Sequence, residues 1–200
     1  MLAFPQRRAP ALGMRRILLA VLLLCAAPAF AQNAGGPAAE KRVALDRLLA
    51  ALKAAPSEEM AAPLEQQIRQ LWLNAGTPAV TLLMSRGLRE MKGDANQDAI
   101  EDFTAAITLD PDLAEAYHQR AIARYAAGDV SGAIADIQNT LQREPRSFAA
   151  LETLAGIAAS RKDWKGAYEA WQKVLEIDPK TRGGQERLKD LRRHALGEEA

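Results

Sequence analysis

The strongest constraint on this chain is a fixed internal period. Asp110-Pro111, Glu144-Pro145 and Asp178-Pro179 recur every 34 positions. So do Ala99, Ala133 and Ala167, and Gly87, Ala121 and Ala155. Two series of larger residues keep step: Phe103, Ile137 and Trp171, and Leu83, Tyr117 and Leu151. A fixed period of this length means stacked copies of one supersecondary unit, because a single copy cannot bury its apolar face. The units are helical. Val80, Leu83, Met84, Gly87, Leu88 and Met91 fall at i, i+3, i+4, i+7, i+8 and i+11, one face of a helix. Aromatics are only 5 % of the 200 residues and alanine is abundant, which favours helices over strands. With 48 % apolar and 26 % charged residues, the composition is not that of a disordered chain.

Each unit reads as two helices joined at Lys92-Gly93-Asp94, Ala127-Gly128-Asp129 and Arg161-Lys162-Asp163. Asp129 and Asp163 are natural N-caps for the second helix. In the first unit the turn reads as shifted by one place, which gives Asn96 that role. The two small-residue series let the paired helices approach each other. The residues at 103, 137 and 171 fill the space against the next unit, and the prolines separate the units. Together these residues resemble the tetratricopeptide repeat (TPR) family over Val80 to Pro179, half of the chain. The resemblance implies an all-α, right-handed superhelical array, with units in the register 80–113, 114–147 and 148–181.

Two positions change together inside the chain. Arg86 and Arg120 precede the small residue of the first helix, and Asp102 and Asp136 follow them at the same spacing in each unit. In unit three the same places hold Leu154 and Ala170. This pattern predicts structural ion pairs, Arg86–Asp102 and Arg120–Asp136, replaced by an apolar contact in unit three.

The flanks extend the array. Residues 40–76 predict an N-terminal helical hairpin, broken at Pro56-Ser57 and stopped at Gly76-Thr77-Pro78. It reads either as a degenerate repeat capping unit one or as a short coiled coil for dimerisation. Residues 182–196 predict a capping helix with Leu188, Leu191 and Ala195 inward, and 197–200 a tail. The outer face of that helix carries Arg187, Lys189, Arg192 and Arg193, either a solvated cap or a surface for an anionic partner or membrane.

Residues 1–31 have the three parts of a secretory signal peptide: Arg15-Arg16, an apolar run from Ile17 to Ala27, and Ala29-Phe30-Ala31. Met14 is a second candidate start. Cleavage before Gln32 places the protein in the periplasm; an uncleaved signal would anchor it in the inner membrane, facing the same compartment. Residues 32–39, rich in Gly, Ala and Pro, read as a linker. Cleavage discards Arg7, Arg8, Arg15 and Arg16 and no acid, and so turns the net charge from +1 to −3. It also discards Cys25, the sole cysteine.

No catalytic set is visible. No serine stands in a Gly-x-Ser-x-Gly setting, and neither Gly35-Gly36 nor Gly183-Gly184 leads into a phosphate-loop lysine pattern. The two histidines, His118 and His194, lie far apart in the sequence and predict no metal site. No cofactor is expected, and the charge balance gives no reason for nucleic-acid binding. The family resemblance instead implies that the first helix of each unit lines a concave groove for a protein or peptide. Its positions are Thr81, Met84, Ser85, Leu88 and Met91, then Glu115, His118, Gln119, Ile122 and Tyr125, then Ala149, Glu152, Thr153, Gly156 and Ser160. Met84, Leu88, Met91, Ile122 and Tyr125 would form an apolar strip with adaptable methionines. His118, Gln119 and Glu152 would add polar specificity. Two further readings stay open: Met84, Leu88 and Met91 packing on the hairpin, and His118 as an ordinary surface residue. One TPR subclass clamps a chaperone's C-terminal carboxylate with lysine, asparagine and arginine. Met84, Leu88, Gln119, Ala149 and Thr153 stand in those places here, so that clamp is absent. A non-catalytic scaffold is the function expected. The alternatives are a periplasmic holding chaperone, like those of cytochrome c maturation, and an envelope scaffold on an uncleaved signal.

Overall fold

The computed structural model describes residues 36–197. The signal segment, most of the linker and the end of the tail lie outside the described residues. Within them the chain is helical throughout: α1 (Pro37–Lys53), α2 (Glu58–Leu73), α3 (Pro78–Lys92), α4 (Asn96–Leu109), α5 (Ala114–Ala126), α6 (Val130–Arg143), α7 (Phe148–Ser160), α8 (Trp164–Ile177) and α9 (Gly184–Leu196). Helix α1 begins at Pro37, earlier than the linker reading allows, because proline's fixed φ suits the first turn of a helix. None of these helices is long and apolar enough to cross a membrane.

Units one to three are the pairs α3–α4, α5–α6 and α7–α8, and the backbone repeats as the sequence does. At each intra-unit turn one residue adopts the left-handed conformation: Asp94 (φ 59°), Gly128 (φ 87°) and Lys162 (φ 61°). The next amide then reaches back into the first helix, Ala95 to Glu90, Asp129 to Arg124 and Asp163 to Ala158, at 2.8–2.9 Å. This closes the first helix of each unit. The turn of unit one is therefore in register, and its expected shift is corrected. Gly93 lies one place early with an ordinary φ of −95°, and Asp94 takes the left-handed position. Ala95, not Asn96, is then the N-cap of α4, with no side chain to cap it. Asp129 and Asp163 do cap α6 and α8, accepting from Gly132 N at 2.8 Å and Gly166 N at 3.0 Å.

Packing explains the small-residue series. A Cβ at Gly87 would lie 2.7 Å from the Phe103 ring, so α3 meets α4 there on bare backbone. Units two and three tolerate Ala121 and Ala155, both fully buried. In unit three Leu154 and Ala170 belong to one apolar cluster, where the earlier units have charges. At the far end α9 packs on α8. The Trp171 indole donates to Gly184 O at 2.8 Å, and the Trp164 ring stacks on His194 with centroids 4.4 Å apart.

The N-terminal hairpin does more than extend the stack at unit one. Its Leu73 joins the core of unit one, and other residues reach the loops that link later units. Asp46 pairs with Arg146 at 2.7 Å, and Glu58 accepts from Gly183 N at 3.2 Å. Helix α2 lies against α5, and α1 against α8. Leu49, Leu52, Ile68 and Trp72 share one buried cluster with Phe148, Leu151 and Trp171. No sequence period signals this, since the Asp46–Arg146 and Glu58–Gly183 contacts and those with unit three join parts of the chain more than two repeat lengths apart.

Candidate interaction surface

The groove positions fall into two halves. Those near the N-terminal ends of α5 and α7 are covered. Trp72 of α2 packs on Phe148 with ring centroids 5.2 Å apart and an interplanar angle of 50°. The Arg69 guanidinium lies 4.7 Å from the same ring and donates to Glu152 at 3.1 Å. Ala149 and Glu115 are buried. His118, only 4 % exposed, lies 3.3 Å from Glu115 through Nδ1 and 3.1 Å from Thr153 through Nε2, and so joins α5 to α7. Gln119 donates to the same Glu115 oxygen at 2.6 Å.

Three of the expected contact residues are therefore corrected. Met84 is 1 % exposed and belongs to the core of unit one, with Val80, Phe103 and Leu113. His118 is a buried cross-link between helices. Glu152 is held by Arg69 of the chain's own hairpin. The reason is common to all three: the sequence places them on the groove face, but neighbours from other elements cover that face.

The other half of the groove, toward the C-terminal ends of α3, α5 and α7, is less covered. Leu88 and Met91 are half-buried against the core of unit one, Ile122 is half-buried, and Tyr125 is 37 % exposed. Gly156 and Ser160 are exposed, and the Tyr125 hydroxyl donates to Ser160 Oγ at 2.8 Å. This face presents an aromatic ring, aliphatic and thioether side chains and hydroxyls, with no charge among the residues named.

The structure brings both arginine–aspartate sets together. Arg120 binds Asp136 through two nitrogens at 2.7 and 2.8 Å, and Arg124 adds a third bond at 2.9 Å. Arg86 grips Asp102 in the same bidentate way. Both aspartates are buried. Each set joins the two helices of its unit.

One buried acid escaped the sequence reading. Asp178, at the end of α8, is fully buried and its Oδ2 has no hydrogen-bond partner. Burial, the facing Glu65 carboxyl of α2 and, more weakly, Glu152 raise its pKa to about 7; only the amide of Lys180 acts the other way. The recurrent Asp-Pro hides its difference from Asp110 and Glu144, because the distinguishing neighbour, Glu65, lies before the first repeat begins. Glu65 and Arg69 were missed because they too lie before the repeats, and Phe148 because its ring neighbours, Arg69 and Trp72, do.

No family model matches the chain. A TPR repeat-containing protein of Rhizobium etli is 30 % identical over 153 residues, covering 76 % of this chain and 75 % of that protein. Among solved structures, the Sgt2 TPR domain of Aspergillus fumigatus is 26 % identical, with a TM-score of 0.54 over 58 % of this chain and 79 % of that one. The first TPR of Spaghetti bound to an HSP90 peptide shares the fold, at 18 % identity and a TM-score of 0.56 over 62 % and 97 % of the two chains. With its periodic left-handed turns, its small-residue contacts and a relative matched over three-quarters of its length, the chain belongs to the tetratricopeptide repeat family.

Proposed function

We propose that this protein is a non-catalytic interaction module of the periplasm that holds a segment of a partner protein in the open half of its groove. The observation that carries the reading is the less covered face at Ile122, Tyr125, Gly156 and Ser160. It is concave by family, apolar at its base and edged with hydroxyls, which suits an extended or helical segment. A chaperone-type carboxylate clamp is not the mode, since Met84 and Ala149 are buried where such a clamp needs exposed donors.

Capture from periplasmic extract tests the site. Tyr125→Ala and Ile122→Asp are expected to lose the bound partner while keeping the helical circular-dichroism signal. Equal recovery by both variants overturns the groove reading. His118→Ala is unsuitable here, because it removes a buried cross-link. The location rests on the signal pattern of residues 1–31. It predicts an exported form beginning at Gln32 by mass spectrometry; a form retaining Met1 or Met14 replaces secretion with a membrane anchor.

A further inference from the structure

We propose that the outer face of the N-terminal hairpin pairs with the same face of a second copy of this chain, so that α1 and α2 of two protomers form a symmetric four-helix interface. This surface shares no residue with the open half of the groove on α5 and α7.

The two faces of the hairpin are used differently. Inward, Leu49, Leu52, Ile68 and Trp72 bury in the cluster around Phe148, so that strip is not open to a second chain. Outward, α1 and α2 leave between them a groove of about 540 Å³, and all nine of its lining residues belong to these two helices. Its apolar side chains are Ala44, Leu48, Pro63 and Leu71. Met60, three places before Pro63, prolongs the strip and is 58 % exposed. Neither Met60 nor Leu71 joins any of the three buried clusters of the described residues. The rim is made of side-chain amides, those of Gln66, Gln67, Gln70 and Asn74, all on exposed residues. The amides of the three glutamines make no hydrogen bond to another described residue. Lys41 is the one charge in the lining, and the end of α2 holds it: its Nζ donates to Asn74 O at 2.9 Å. The occupant follows from this composition. In a twofold interface the same patch stands on both sides, so each group faces the patch's own chemistry. A patch of one charge sign then repels itself, whereas a side-chain amide carries donor and acceptor together and satisfies its own kind. The far end of the array shows the contrast, since α9 exposes Arg187, Lys189, Arg192 and Arg193, a face that would repel its image. A charged partner would find no countercharge in the hairpin groove. A second hairpin brings an apolar strip of the same length and amides to match, the packing that antiparallel helices of a four-helix bundle adopt.

Sedimentation equilibrium of the whole chain, across a range of concentrations, tests the pairing. A reversible monomer–dimer equilibrium is expected. Two double variants probe the face: Gln67→Glu with Gln70→Glu, and Gln67→Lys with Gln70→Lys. Each alone is expected to weaken the dimer about tenfold or more, because like charges then meet across the twofold. An equimolar mixture of the two is expected to restore it as a mixed dimer. Both substitute exposed positions, so the helical circular-dichroism signal and Tm should hold. Leu82→Asp, at a leucine of unit one that is 67 % exposed, is expected to leave the dimer intact. A chain that is monomeric at every concentration overturns the proposal. So does a dimer that persists in each double variant alone, a mixture that fails to recover it, or its loss with Leu82→Asp.

Discussion

Units one and two join their helices with the same arginine–aspartate pair, but the surroundings of the two pairs are reversed. In unit two a single buried acid, Asp136, receives two arginines, Arg120 and Arg124, and the Arg120 side chain is only 12 % exposed. In unit one the residue one period before Arg124 is Glu90, so a single arginine faces two acids. Arg86 serves Asp102 and lies 3.6 Å from Glu90, with its side chain 57 % exposed. The difference teaches that a shared motif does not carry a shared energy. Breaking the unit-two set strands a desolvated cation, whereas in unit one water can take over the arginine.

The comparison can be broken most directly at its acids. Asp136→Ala is expected to cost about 3–5 kcal/mol in urea unfolding, the range for removing one side of a buried pair. Asp102→Ala is expected to cost about 1–2 kcal/mol, the scale of lost charged hydrogen bonds whose donor returns to solvent. Equal losses would show that exposure of the arginine does not decide the energy.

Unit three sharpens the comparison, because its buried acid has no arginine of its own. An ionised Asp178 is disfavoured by burial and by Glu65 and Glu152, although Arg69 partly offsets both glutamates. An unfolded carboxyl near 3.8 releases its proton early, and the folded one holds it to about pH 7. Across that window the native state binds the extra proton, so stability falls as pH rises from about 4 to 7 and stays low above it. Melting should therefore come at a lower temperature at pH 8 than at pH 5.5 for this group's contribution. Asp178→Asn should flatten that dependence. A pH profile unchanged by the substitution would refute the assignment.

Three smaller tests concern the turns. Asp129→Ala removes the cap of α6 and is expected to cost about 1 kcal/mol, read as faster amide exchange in its first turn. Unit one already has alanine at that place, so Ala95→Ser should have the opposite sign and no greater size. Asp94→Gly should stabilise unit one by about 0.5 kcal/mol, because it relieves a left-handed aspartate. A loss of stability would mean that Asp94 makes a contact worth more than its strain.

The recurring period made the repeat helices legible, since each rests on contacts within a unit or with its neighbour. The charge positions at 86 and 102, and at 120 and 136, were readable because they vanish together in unit three. The turn of unit one misled for a local reason: Gly93 advertises a left-handed turn and does not adopt one. The covered half of the groove was legible only in part, as the open reading that Met84, Leu88 and Met91 pack inward. Burial of Met84 and His118 follows from tertiary packing, and the capture of Glu152 from a hairpin whose own pattern says only that it is amphipathic.

That hairpin also changes how the array must assemble. A solenoid with contacts only between neighbours can grow one unit at a time, and its stability is a sum of local terms. Here Asp46 of the first helix meets Arg146, which precedes the third unit, and Glu58 meets Gly183, beyond the last. Helices α1 and α2 have no complete seat until the loop before α9 exists. Closing such long loops slows folding and ties the ends into one cooperative whole, so loss of the last helix should be felt at the first.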